Sequence, residues 1–166
     1  DFLISVNFQA AARADFCAID LPKQMSAMQR PVLFARIYLL LLAVATLNIA
    51  LKALLDPQTV MDFVSVSLDG NVTARNSIRA LYGGVNFFFA LYWIYAAFRA
   101  QGTGLILAAL YTGGFVFGRV WSMAADGRPG EFALQWLVTE AVFMALAVAL
   151  QWWQNRNNAT LVVAGF

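Results

Sequence analysis

No histidine occurs among the 166 residues, and Cys17 is the only cysteine. Without histidine, haem ligation through imidazole and every histidine-dependent catalytic triad are excluded. A single cysteine rules out an internal disulfide and any multi-cysteine metal site. Charge is scarce as well: only 12% of residues are charged, 11 basic against 9 acidic, for a formal net charge of +2. That is too little polar sequence to coat a soluble helical bundle. The apolar segments run continuously and do not alternate, so they do not fit a membrane β-barrel either.

What fills the chain instead is hydrocarbon. Hydrophobic residues make up 61% of it, and the mean hydropathy is +0.68. About 20 apolar residues of helix cross a bilayer, and four segments reach that length: Leu33–Leu55, Asn76–Phe98, Thr103–Ala125 and Phe132–Trp153. The fold class expected is all-α: an integral membrane, antiparallel four-transmembrane-helix bundle with an N-terminal extramembrane arm. The divisions are 1–30 for the arm or interfacial segment, 31–158 for the transmembrane domain and 159–166 for a C-terminal tail. Phe2–Phe8 is too short to span and has no basic segment before it, so it does not read as a secretory signal.

The connections carry recognisable signals. Asp56-Pro57 closes the first span, since proline does not continue the helix. Within 58–75, Thr59–Leu68 predicts a short interfacial helix with Met61, Phe63 or Val64, and Leu68 on its apolar side. Asp69-Gly70-Asn71 reads as a turn. The link of about four residues between spans two and three makes them antiparallel neighbours. Gly114-x-x-x-Gly118 permits close approach of another helix. Trp152-Trp153 suits an interfacial anchor at the end of span four. Arg13, Lys23, Arg30, Arg99 and Arg156 on the side of the termini, against Lys52, Arg75 and Arg128 on the other, favour cytoplasmic termini. Lys52 and Arg36, near the ends of span one, are expected to snorkel to the head groups.

Ionisable and polar residues inside the spans are the first place to look for function, because each costs free energy there. At a rise of 1.5 Å per residue, Asn48, Arg79, Asn86, Arg119 and Glu140 all fall roughly 5–15 Å from the side bearing the 56–75 and 126–130 connections, here termed the loop side. Arg75, Arg79, Tyr82 and Asn86 follow i, i+4, i+7, i+11 and would share one helical face. Glu140 shares a face with Trp136, Met144 and Ala147. A lone charge at a helix centre costs at least ~2.5–3.5 kcal/mol on the lenient insertion scales. Pairing Arg119 with Glu140 across the antiparallel third and fourth spans offsets most of that. Three readings stand: a buried ion pair that fixes helix order and depth, a polar pocket for an anionic or carbonyl-bearing small molecule or a lipid head group, or a proton or ion path, for which one carboxylate without a second acid, histidine or lysine nearby is thin equipment. The pocket would be lined by Arg79, Tyr82, Asn86, Arg119, Glu140 and Trp136.

The same residues carry a resemblance. Arg79-Ala-Leu-Tyr-Gly-Gly84, Gly114-Phe-Val-Phe-Gly-Arg119, Asp126-Gly-Arg-Pro129 and Glu140, in that order, resemble the uncharacterised bacterial family called domain of unknown function 4345, from about Arg36 to Leu150. The resemblance implies a four-helix bacterial membrane protein of the inner (cytoplasmic) membrane and supplies no activity. The functional expectation is a non-catalytic accessory or structural subunit of a bacterial inner-membrane complex, respiratory or photosynthetic. The alternative is a small membrane protein binding a lipid, quinone or small anionic metabolite in the intramembrane polar pocket. Other integral membrane proteins and lipids are the expected partners, and nucleic acid is not. No catalytic residue, cofactor or metal ligand is assigned.

Overall fold

The computed structural model describes residues 30–163, with side chains to Asn157. The expected arm, with Cys17, Arg13 and Lys23, lies outside the described residues, as do the side chains of the expected tail. Among the described residues the chain is entirely helical. It runs α1 (Arg30–Leu55), α2 (Pro57–Asp62), α3 (Val72–Ile78), a π-helical segment (Arg79–Val85), α4 (Asn86–Arg99), α5 (Gln101–Asp126) and α6 (Glu131–Val163). From α3 through α4 the helix is continuous, so four helices are long and apolar enough to cross a membrane: Arg30–Leu55, Val72–Arg99, Gln101–Asp126 and Glu131–Asn157. Each is longer than its apolar run alone, and α6 continues past Trp153 through the polar stretch that follows.

Two connections differ from expectation. Spans two and three are joined by Ala100 alone, whose φ of −149° and ψ of 48° break the helix. The last carbonyls of α4 are then left without helical donors, and neighbouring side chains supply them. Arg36 Nε donates to Ala97 O at 3.3 Å, and Gln101 Nε2 donates to the same oxygen at 2.8 Å. Gln101, the first residue of α5, also donates to Val32 O on α1 and accepts from Gln154 on α6, which ties all four spans at this end. Arg36 is thus engaged with α4, its guanidinium also lying over the Phe98 ring.

The expected helix over Thr59–Leu68 is shorter, starting at Pro57 and ending at Asp62. Met61 and Leu68 turn inward against Ala53 and Val60, while Phe63 and Val64 stay exposed. Gly70, at φ +69°, makes the turn before α3, which Asn71 caps by accepting from Ala74 N–H at 2.9 Å. Asp56 caps α2, accepting from Gln58 N–H and the Thr59 hydroxyl. The Thr59 hydrogen bond, aided by Gln58 and by Arg75, holds the Asp56 carboxyl below its usual value near 3.8. A lowered folded pKa contributes stability above the unfolded value, and that stability is lost as pH falls through the folded one. Residues 56–71 are therefore expected to open to protease or amide exchange as pH drops through that range. Asp56→Asn should flatten the dependence, and an unchanged pH profile in that variant would refute the assignment.

The main core lies in the half of the bundle nearer the termini. Trp93 is fully buried at its centre, with Leu39 and Leu105 beside it. Ala35, Ala43, Ala96, Ala97, Ala108 and Ala147 let the helices approach closely. Tyr38 crosses from α1 to donate to Phe143 O on α6 at 2.9 Å. The second, smaller core on the loop side is built by α1, α2, α3 and their connections, with no residue from α5 or α6.

Candidate functional site

The polar layer lies where the main core ends. Arg119 on α5 and Glu140 on α6 meet in a bidentate pair, Nε to Oε2 at 2.6 Å and Nη2 to Oε1 at 3.0 Å. Both carboxylate oxygens are engaged, and the fork geometry is the strongest form of this contact. The arginine side chain keeps 29% of its exposure and the glutamate 11%, so the pair is largely withdrawn from its surroundings. α5 and α6 pack against each other along the hairpin, and the clasp joins them in its loop-side part, seven residues before the end of α5 and nine after the start of α6.

A second cluster bridges α4 and α5. The Tyr111 hydroxyl donates to Asn86 Oδ1 at 2.6 Å, and Asn86 Nδ2 donates to Tyr82 O at 3.0 Å. Asn86 is buried, and Thr46 of α1 sits beside the Tyr111 hydroxyl while donating to Leu42 O. Every polar atom that this cluster names in the interior has a partner, as burial requires. Tyr111 and Thr46 were not among the residues singled out from sequence. Thr46 lies within one turn of Asn48, which was an available signal, whereas Tyr111 stands eight residues from Arg119 and had none.

Arg79 does not join the others. The expectation of a shared face with Tyr82 and Asn86 assumed 3.6 residues per turn, and the π-helical segment Arg79–Val85 breaks that register. Arg79 is exposed while Asn86 is buried. The Arg79 Nε donates to Leu54 O at 3.2 Å, at the C-terminal end of α1, where carbonyls lack helical partners and the helix dipole favours a cation. Gly83 permits this docking, because a Cβ there would lie 2.8 Å from Leu54 Cγ and Cδ2. Asn48 is exposed on α1. Trp136 is half-buried, edge-on to Phe132, and Trp121 is exposed and stacked on Phe117. Lys52 lies over the Phe63 ring.

The hairpin formed by the end of α5 and the start of α6 stands apart from the rest. No residue from 113 to 139 is buried, and the stacked Phe63–Phe132 rings are its aromatic contact with the loop-side core region. Gly114 and Gly118 show nothing within 4 Å of a built Cβ. Among the described residues the close approach expected of that spacing does not occur there; it occurs at Gly83, Gly104 and Gly113. An open groove of about 600 Å³ runs along span two, walled by Ala80, Gly84, Val85, Phe88, Phe89 and Tyr92, with Leu107 of α5 opposite. None of its lining residues belongs to the six proposed for the polar pocket. Among the described residues no group of three or more histidine, cysteine or acidic side chains is placed to hold a metal ion.

Four apolar spans, an alanine-rich core and an internal arginine–glutamate clasp define an all-α, multi-span membrane protein. The chain belongs to the family described as domain of unknown function (DUF4345), whose model matches residues 34–151. No curated protein and no solved structure matches it. The matched region holds all six residues proposed for the pocket and both halves of the clasp.

Proposed function

We propose that the protein is a non-catalytic structural subunit of a bacterial inner-membrane assembly, with the α5–α6 hairpin as the seat for another integral membrane protein. The observation that carries this reading is the unburied stretch from 113 to 139. Lipid tails are as apolar as leucine, so a lipid-facing helix gains nothing from glycine or from polar side chains. Helix–helix interfaces do, because small residues admit close packing and polar ones find partners. This hairpin exposes Gly114, Gly118 and Ser122 on α5 and Gln135 and Thr139 on α6. The clasp then acts as a brace that holds the two helices in register for a partner. Respiratory and photosynthetic complexes are the assemblies considered, with the termini on the cytoplasmic side.

A Cβ at Gly118 meets nothing among the described residues, so Gly118→Leu reports on a partner and not on the packing of the four spans. Purified in mild detergent, the native protein is expected to carry a second integral membrane chain in fixed stoichiometry, by mass. Gly118→Leu should lose that chain while its own unfolding temperature stays unchanged. A native protein that is monomeric under the mildest extraction would refute the proposal.

The second reading, a polar pocket for a lipid, quinone or small anionic metabolite, draws support from the buried polar groups inside the spans, the Asn86–Tyr111 hydrogen bond and the Arg119–Glu140 pair. It is weaker, because both oxygens of Glu140 already accept from Arg119, and an anion would have to displace that carboxylate.

A further inference from the structure

We infer that the groove along span two holds one acyl chain of an anionic phospholipid from the loop-side leaflet, with the phosphate on Arg79. The inference rests on shape, depth and charge together. Ala80, Gly84, Phe88 and Tyr92 repeat every four residues and form one wall, with Leu107 opposite. From Ala80 to Tyr92 the helix rises roughly 15–18 Å, close to half of the ~30 Å hydrocarbon core. The groove therefore matches the depth of one leaflet's chain, and its apolar walls offer nothing to a polar occupant.

Its mouth supplies the complement. Arg79 immediately precedes Ala80 and sits level with Leu54 O, next to the residue that ends α1. That level is the membrane interface, where head groups lie. Its Nε is taken by the carbonyl, and its two terminal nitrogens make no hydrogen bond among the described residues. No carboxylate among those residues pairs with it. No aspartate or glutamate occurs between Asp69 and Asp126, a stretch that includes both helices walling the groove along with Arg75, Arg79, Arg99 and Arg119. Glu140 occupies Arg119, and Arg75 donates to Leu68 O near Asp56. Arg79 remains as the planar donor facing head-group level, and a guanidinium matches phosphate oxygens as a two-pronged donor.

The site can be tested by native mass spectrometry of the full chain, delipidated and then exposed to phosphatidylglycerol or phosphatidylcholine with identical acyl chains. The native protein is expected to retain one phosphatidylglycerol per chain, with a preference over phosphatidylcholine of about tenfold, the scale of a hydrogen bond to a charged group. Arg79→Gln should erase the preference while weaker retention of both lipids persists. Gly84→Leu places a side chain in the groove and should abolish retention of both. Its Cβ meets only the Arg79 carbonyl oxygen, at 3.8 Å, so the fold accommodates it. Ala80→Leu fills the mouth by an independent route, and circular dichroism of each variant separates lost binding from lost folding. Equal retention of the two lipids by the native chain would overturn the inference. So would undiminished retention in folded Gly84→Leu and Ala80→Leu proteins, or displacement of the phospholipid by a neutral quinone.

Discussion

Glu140→Gln is expected to lower stability by about 2–4 kcal/mol, one of the two largest effects foreseen for a single substitution in this chain. The change is nearly isosteric, so packing is preserved and only charge and acceptor capacity are lost. It leaves the Arg119 guanidinium inside a span with no anion facing it. Removal of one partner from a fully buried pair costs about 3–5 kcal/mol. The lower figure here reflects the 29% exposure retained by the Arg119 side chain, and an arginine only seven residues from Asp126 can relax toward the loop-side interface. Replacing both partners with apolar residues, Arg119→Met with Glu140→Leu, should recover most of the loss, because no uncompensated charge remains. Thermal unfolding of the native, single and double variants in one detergent closes the cycle. A Glu140→Gln protein as stable as the native one, or a double variant as damaged as the single, would remove the clasp from the account of the fold. The variant also separates the two functional readings. A structural brace predicts loss of folding or assembly, whereas a pocket predicts normal assembly with lost ligand binding.

The four spans were legible in the sequence because apolar length is a local property, and so was the ion pair, because cost and depth together left Arg119 and Glu140 few alternatives. Arg79 was misplaced for a specific reason. Its expected face followed from a constant 3.6-residue turn, and seven residues of π-helix between Arg79 and Val85 rotate everything on one side of the segment relative to the other. Sequence periodicity contains no term for that. The Gly83-Gly84 pair hinted at an irregular segment, but the packing there involves Leu54, a residue 29 positions away whose side chain fills the space a Cβ at Gly83 would need. The short helix after Asp56 illustrates the same limit. Leu68 is buried as expected, yet it reaches the interior from a turn. The chain leaves helix at Phe63, and Ser65 adopts φ +57°, a conformation that hydrophobic patterning does not encode.

Gly104→Ala is expected to cost about 2–3 kcal/mol by overpacking, whereas Gly118→Ala should be neutral, the reverse of what the sequence pattern suggests. Gly118 belongs to the Gly-x-x-x-Gly spacing associated with tight helix contacts, yet no described residue lies within 4 Å of a Cβ at that position. Gly104 lacks a second glycine at that spacing, with Ala108 as its small neighbour four residues on. A Cβ on Gly104 would lie 2.7 Å from Ala96 Cβ and 3.2 Å from Leu39 Cδ1. Leu39 can change rotamer, but Ala96 Cβ is fixed to its helix, so the added methyl must push α4 and α5 apart. The chain prevents that motion. Ala96 and Gly104 stand four residues either side of Ala100, the single residue that joins the two helices, and no loop between them can lengthen to absorb the strain. The displacement would pass instead into the alanine-lined core around Trp93, whose buried indole Nε1 has no hydrogen-bond partner among the described residues. Unfolding temperatures of the two alanine variants in the same detergent decide the matter, and equal values would show that the one-residue link does not set the packing. A glycine is indispensable in this bundle where chain connectivity forces two backbones together, and a one-residue turn does so more strictly than any spacing of small residues along a single helix.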